Sequence, residues 1–295
     1  MLLERRAHGQ RSGTGMNTSE SMPTQHCLLL DGALFSAVCD LPRLVKEAQA
    51  TALYTDLGED AALVGPLLLS AAHAHLLPLT VADSISAKRA QRFGTAELAA
   101  DVPMVRIAEH LRRIRHLHTA DGQQFFLRCA DSRGLRCLWD VLLPQQREAL
   151  LGPILEWRIR GENDAPRVLR RDLHKTTRAA LPLVLNDEAL SRFTELALPW
   201  QLMIAAEEAH ASLVQFADDE RLAFTRQAVA WADRSEHDVG FALQTALVAA
   251  FTMTQGFAFR HEGFSTAWSE SSRSNDPQPL YRWLGETFAE EGLGA

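Results

Sequence analysis

The chain has 295 residues, 46% hydrophobic and 23% charged, with a net charge of −7 and a pI near 5.9. That length exceeds what one minimal core needs, so one large or two modest domains are expected. The acidic balance argues against general nucleic-acid binding. The longest apolar run, Ala61 to Leu69, is broken by Gly65 and Pro66 and is too short to span a bilayer.

Residues 1–25 are polar and rich in Gly, Ser and Thr, with no apolar run of signal-peptide length. They are expected to be a disordered tail, with Met16 and Met22 as alternative starts. Without an export signal, a cytoplasmic protein is expected. Its four cysteines, Cys27, Cys39, Cys129 and Cys137, form no C-x-x-C pair and read as free buried thiols rather than disulfides or a zinc site.

Ordered structure is expected from "HCLLLDGAL", with a strand over His26 to Leu30 and a turn at Asp31-Gly32. Pro42 suits the first turn of a short helix, and "ALYTD" reads as the next strand. From Pro103, residues Met104, Ile107, Ala108, Leu111 and Ile114 share one helical face, leaving Arg106, Arg112, Arg113 and Arg115 mostly for solvent. "RHLHTADGQQFFLRC" reads as two strands joined at Asp121-Gly122, a strong hairpin signal. "SRGLRCLWDVL" and "PQQREALLG" follow as helices, the second closed by Gly152, and "PILEWRIRG" as a strand.

Residues 161–182 have a basic tilt and read as a linker. Beyond them the character changes. Three segments with Asn, Asp or Ser caps and apolar faces predict an all-helical domain over 183–260. Across 185–240, eleven acids stand against four bases, opposite in sign to the connection before it. Residues 261–295 are Ser- and Asn-rich and read as a flexible tail with one short docking helix around Leu280 to Phe288. The fold expected is therefore a mixed-sheet α/β (α+β) domain over 26–160 followed by helices.

The chemistry candidates are few. Asp131 follows a strand and opens a helix, where a nucleophile or metal carboxylate could sit, but its neighbours are Arg128 and Arg133. An Asp between two arginines is drawn into an ion pair and a helix cap, a stable and unreactive anion. The pairs His73/His75 and His116/His118 have strand spacing for one face but lack a third metal ligand. Glu207 and His210 lie at i, i+3 beside Glu208, without the matching Glu-x-x-His of a carboxylate-bridged centre, and read as a solvated face. No phosphate-binding, dinucleotide-binding or nucleophile-elbow motif is present. No metal, cofactor or catalytic residue is assigned.

The order "LLLDGA", "ALYTDLGEDAALVGPLLL", "RFGTAEL" and "EHLRRIRHLHTADGQQFFLRCADSRGLRCLWDVLLPQQREALLGPI" resembles the effector adaptor/chaperone family of bacterial type VI secretion (domain of unknown function 4123) over residues 26–160. The matching positions are Asp31-Gly32, Tyr54, Pro66, His110-Leu111-Arg112, Asp121-Gly122, Arg128, Asp131, Arg133 and Gly152-Pro153, with Ser132 where the family often has Pro. The resemblance implies a non-enzymatic cytoplasmic adaptor that holds a secreted effector and helps load it onto the spike protein, with neither nucleic acid nor a membrane span involved. It also implies a structural corner at Arg128, Asp131 and Arg133, near which His110 and Arg112 are expected to pack. Trp200, Trp231 and Trp283 are candidate interface aromatics. The rival readings are a hydrolase or transferase using Asp131 with His110 or His118, and a nucleic-acid binder using Arg106 to Arg115 and Arg158 to Arg178.

Overall fold

The computed structural model describes residues 23–77, 85–161, 165–172, 179–235 and 237–288. Strand β1 (Gln25–Asp31) lies at the centre of a six-stranded antiparallel sheet, between β3 (Pro66–Ser70) and β4 (Thr95–Ala100). Strand β2 (Thr51–Ala52) closes one edge, and β7 (Ile154–Arg160) and β8 (Pro166–Arg170) extend the other, giving the order β2-β3-β1-β4-β7-β8. The unbroken apolar runs of β1 and β3 follow from burial on both faces. Alternate side chains enter two cores, Leu29 and Leu68 on one side, Leu28, Leu30, Leu67 and Leu69 on the other.

The first core is covered by α5 (Met104–Arg113), α6 (Ser132–Val141) and α7 (Pro144–Leu151), through Ile107, Leu111, Leu135, Leu138 and Leu150. The second is covered by α1 (Gly32–Phe35), α2 (Leu41–Glu47) and α4 (Ile85–Phe93), through Phe35, Leu41, Leu44 and Ala90. The helix α3 (Glu59–Val64) leads into β3 and lies against Gly32, where a Cβ would stand 2.4 Å from the Gly65 carbonyl oxygen. Close backbone approach therefore requires glycine at position 32.

A second, three-stranded sheet runs β6-β5-β9. The Asp121-Gly122 turn joins β5 (His116–Thr119) to β6 (Gln124–Phe126) as the sequence predicts. Strand β9 (Leu183–Leu185) pairs with β5 in parallel. Directly after it Asn186 caps α8 (Asp187–Ala209), its side chain accepting from the Ala189 N–H at 2.8 Å. The helical region continues with α9 (Asp218–Ala232), α10 (Phe241–Met253), α11 (Phe264–Ser274) and α12 (Gln278–Phe288). Helix α10 is apolar around nearly its whole circumference and forms the centre of this region's core.

The α/β region followed by helices matches the expected fold class, but several boundaries differ. The expected linker contains β8, in which Leu169 is buried in the core, Arg167 on the same face reaches Asp140 of α6, and Arg170 on the opposite face pairs with Glu156. Charged side chains on an edge strand discourage further pairing and disguise the strand as a basic connection. The expected flexible tail carries α11 ahead of the short helix expected around Leu280 to Phe288, which is α12, and Phe264, Leu280, Trp283 and Leu284 are buried in the core of the helical region. Of "ALYTD" only Ala52 belongs to a strand, the second residue of β2, before the chain turns, and His73 and His75 lie on a 3-10 turn rather than a strand. The expected tail at 1–22, linker residues 162–164 and 173–178, and residues 289–295 lie outside the described residues.

Candidate interaction groove

The Arg128-Asp131-Arg133 corner is built from two ion pairs, each tied to a helix start. Asp131 has extended backbone and caps α6, its Oδ1 accepting from the Arg133 N–H at 3.0 Å. The Arg133 guanidinium returns to the same carboxylate, Nε to Oδ1 at 2.9 Å and Nη2 to Oδ2 at 2.7 Å. Arg128 turns instead to Asp31, at 2.8 Å to Oδ1 and 2.9 Å to Oδ2, and Asp31 in turn caps α1 through the Leu34 N–H. The corner is thereby stitched to the end of β1, 97 residues earlier in sequence.

This geometry fixes the electrostatics of Asp131. Burial opposes ionisation, but the Arg133 hydrogen bonds, the Arg133 charge and the Arg128 charge outweigh it and hold the carboxyl below its ordinary value of 3.8. The two Asp131 oxygens take three N–H donors, an arrangement suited to a permanent anion rather than to a base that exchanges protons.

His110 and Arg112, expected at the corner, have other partners. His110 is buried and donates from Nε2 to the Leu150 carbonyl at 2.8 Å. Its ring fills the space beside Gly152, where a Cβ would lie 2.2 Å from Cε1. With φ at +55°, Gly152 is also in backbone that favours glycine, so the histidine and the glycine fit each other. Arg112 donates to the carbonyls of Leu53 at 3.1 Å and Ala52 at 3.3 Å, pinning α5 to the segment after β2. Neither reading of Asp131 with a histidine partner gains support, since the carboxylate's close donors are all supplied by Arg133.

Beside the corner lies a groove of about 580 Å³. One wall is the small sheet, through Leu117, Phe125, Phe126 and Leu185. The facing wall is α8, through Leu190, Phe193, Ala197 and Ile204. Trp200 of α8, with Arg128, Asp131 and Arg133, completes the lining. Strand β6 is the edge of its sheet, and all three of its residues are exposed. Phe126 stands edge-on to Tyr54 at 5.1 Å and to His116 at 4.8 Å, which holds the ring in place although 49% of the residue is exposed. Phe125 is 45% exposed.

Of the three tryptophans, only Trp200 meets this groove. It is buried where the two regions join, edge-on to Phe93 of α4 at 5.4 Å and under the Arg136 guanidinium at 5.1 Å. Trp283 is buried inside the helical region and donates from Nε1 to the Glu262 carbonyl at 3.1 Å. Trp231 stacks on Phe259 at 5.8 Å, beneath the Arg234 side chain. The Glu207 side chain is a further correction. It is not on a solvated face but buried, accepting from Arg89 and Arg221. Among the described residues, no three His, Cys, Asp or Glu side chains gather as a metal cluster, and no helix is long and apolar enough to cross a membrane.

Sequence reasoning reached the corner and Trp200 and placed Asp31 at a turn, but missed the pairing of Asp31 with Arg128, the exposed phenylalanines and the α8 wall. Asp31 carried a signal, an acid between a strand and a glycine, that also describes a helix cap. The groove carried none, because it forms only once β9 has joined β5 and α8 has packed against α6, contacts between segments far apart in sequence.

The molecule is thus a two-part protein, an α/β sheet domain continued by helices, with an apolar groove between its small sheet and the first of those helices. Residues 27–149 match the family model of a domain of unknown function (DUF4123). Neither a curated protein nor a solved structure matches the chain.

Proposed function

We propose that this protein is a non-enzymatic adaptor that holds a segment of a type VI secretion effector in the groove between the small sheet and α8, and helps load it onto the spike protein in the cytoplasm. The observation that carries this reading is the groove itself. It is lined by apolar side chains from two regions of the chain, while its charged groups are committed to ion pairs, Arg133 with Asp131 and Arg128 with Asp31. Such a site offers burial and shape rather than a convergent set of reactive groups. Phe125 and Phe126 present aromatic surface for a partner side chain, and aromatic anchors carry much of the energy of interfaces. The open edge of β6 supplies N–H and C=O groups that an extended segment could pair with.

The test is binding between the purified protein and an effector encoded beside it, by titration calorimetry, with Phe125→Asp and Phe193→Asp as variants. A buried charge opposite apolar partner surface should weaken binding by roughly a hundredfold, about 2.7 kcal/mol. Unchanged affinity in both variants, with folding verified by circular dichroism, would place the partner elsewhere.

A further inference from the structure

The two sheets end in β2 and β8 and in β6 and β9, and β6 differs from the other three. Strand β8 begins at Pro166 and carries Arg167 and Arg170, both devices that discourage a further strand. Strand β2 is two residues long, and its Ala52 carbonyl accepts from Arg112. In β9 the Val184 carbonyl accepts from the Gln146 side chain at 2.8 Å. Strand β6 reads Gln124-Phe125-Phe126, with neither charge nor proline, and all of it is exposed.

The register shows which backbone groups this edge offers. Thr119 donates its N–H to the Gln123 carbonyl at 3.0 Å, and Leu127 donates to the Arg115 carbonyl at 2.8 Å. Leu117 stands opposite Phe125, midway between those two pairs. Bonded and non-bonded pairs alternate in an antiparallel ladder, so Phe125 directs its N–H and C=O to β5. Gln124 and Phe126 turn theirs the other way, where the sheet has no further strand. The Phe125 side chain shares a face with Leu117 and Leu185, and all three line the groove. Phe126 packs on Tyr54 and His116 on the opposite face, which holds the edge in place before anything binds.

An antiparallel segment laid along β6 would bond to Gln124 and Phe126. Its residue opposite Phe125 would fall at a non-bonded site, where Cα atoms approach to about 4.5 Å, with its side chain directed into the groove. Residues two positions away would point the same way and those between them to the other face. A helix has no free backbone groups along its length to offer the edge, and it repeats its apolar positions at the wrong period.

We propose that the segment held in the groove binds as an added strand on β6, an extended stretch of a protein partner with apolar side chains at alternate positions and backbone hydrogen bonds to Gln124 and Phe126. This rests on the reading of the groove given above and specifies the form of its occupant.

The experiment uses the full chain and a short synthetic peptide alternating Thr and Val, with amide exchange followed residue by residue by NMR. Saturating peptide should slow exchange at Gln124 and Phe126 roughly tenfold or more, whereas the Phe125 amide, bonded to β5, is slow already. Gln124→Pro removes an outward N–H at an edge position and should weaken the peptide roughly tenfold, against about twofold at most for Gln124→Ala, which keeps it. The same peptide N-methylated at alternate amides should lose binding to the unaltered protein, a check independent of how the proline variant folds. No protection at Gln124 and Phe126, equal effects of proline and alanine, or undiminished binding of the methylated peptide would overturn the proposal, even where an effector binds and Phe125→Asp weakens it. Protection that rises with protein concentration without peptide would assign the edge to a second copy of the chain and overturn it too. Protection by the peptide without any effector binding would support the added strand and remove the effector reading alone.

Discussion

Replacing Asp131 should cost the fold dearly, and the structure divides the cost into two parts. Alanine there removes the cap of α6, worth about 1 kcal/mol. It also leaves the Arg133 guanidinium, whose side chain is only 11% exposed, without its carboxylate, a loss of about 3 kcal/mol for a pair this sheltered. The sum, roughly 4 kcal/mol, corresponds to a fall in Tm of about 8–16 °C for a protein of this size. Asparagine can still cap the helix, so Asp131→Asn should lose only the charge part and melt about 2–4 °C above Asp131→Ala. The pH dependence follows from the lowered pKa of Asp131. A carboxylate held below its unfolded value stabilises fully above that value and loses its contribution as pH falls through the folded one. The gap between the wild-type protein and Asp131→Asn should therefore hold from about pH 7 to 5 and close below about pH 4. Thermal unfolding followed by circular dichroism across that range is the assay. A Tm within about 2 °C of wild type for Asp131→Ala, or a gap to Asp131→Asn that does not shrink in acid, would refute the reasoning.

Three further outcomes are expected. Trp200→Ala should destabilise by about 3–5 kcal/mol, because a large side chain is removed where α4, α6 and α8 meet; hydrogen exchange should rise first in α8, and unchanged protection there would count against the packing described. Gly152→Ala should cost about 2–4 kcal/mol through its positive φ and the collision with His110, and a neutral result in denaturant titration would show that the histidine is not fixed there. Burial pushes the Cys129 thiol up to about 12 and leaves it fully inaccessible. Cys39, half-buried, should therefore react first with a thiol reagent, and peptide mapping that found Cys129 labelled as fast as Cys39 would contradict this.

The local features were the legible ones. The Asp121-Gly122 pair announced its hairpin, the spacing of Met104 to Ile114 announced α5, and the apolar faces from Asn186 onward announced α8, α9 and α10, although of these three only α8 has the expected side-chain cap, α9 and α10 starting after Ala217 and Gly240. The role of Asp131 was readable because its partner lies two residues away. Arg128 was misassigned to the same acid because nothing in a linear pattern points from position 128 back to Asp31. Glu207 looked solvated for a similar reason, since its arginines come from α4 and α9, with Arg89 118 residues away. Strand β8 was hidden by the charges it carries, and α11 by its serines, whereas α12 stands where the short docking helix around Leu280 to Phe288 was expected. The groove depends on β9 joining a sheet begun some 65 residues earlier and on α8 packing against α6, and those contacts are a property of the whole fold.

The central claim is that the groove beside Phe125 holds a secreted effector. Its most direct test is a pull-down of tagged wild-type protein and of Phe125→Asp from native lysate, with the co-purifying proteins identified by mass spectrometry. The account predicts a near-stoichiometric effector or spike component with the wild-type protein and its loss with Phe125→Asp. A lone, well-behaved wild-type protein, or an effector retained equally by the variant, would contradict it.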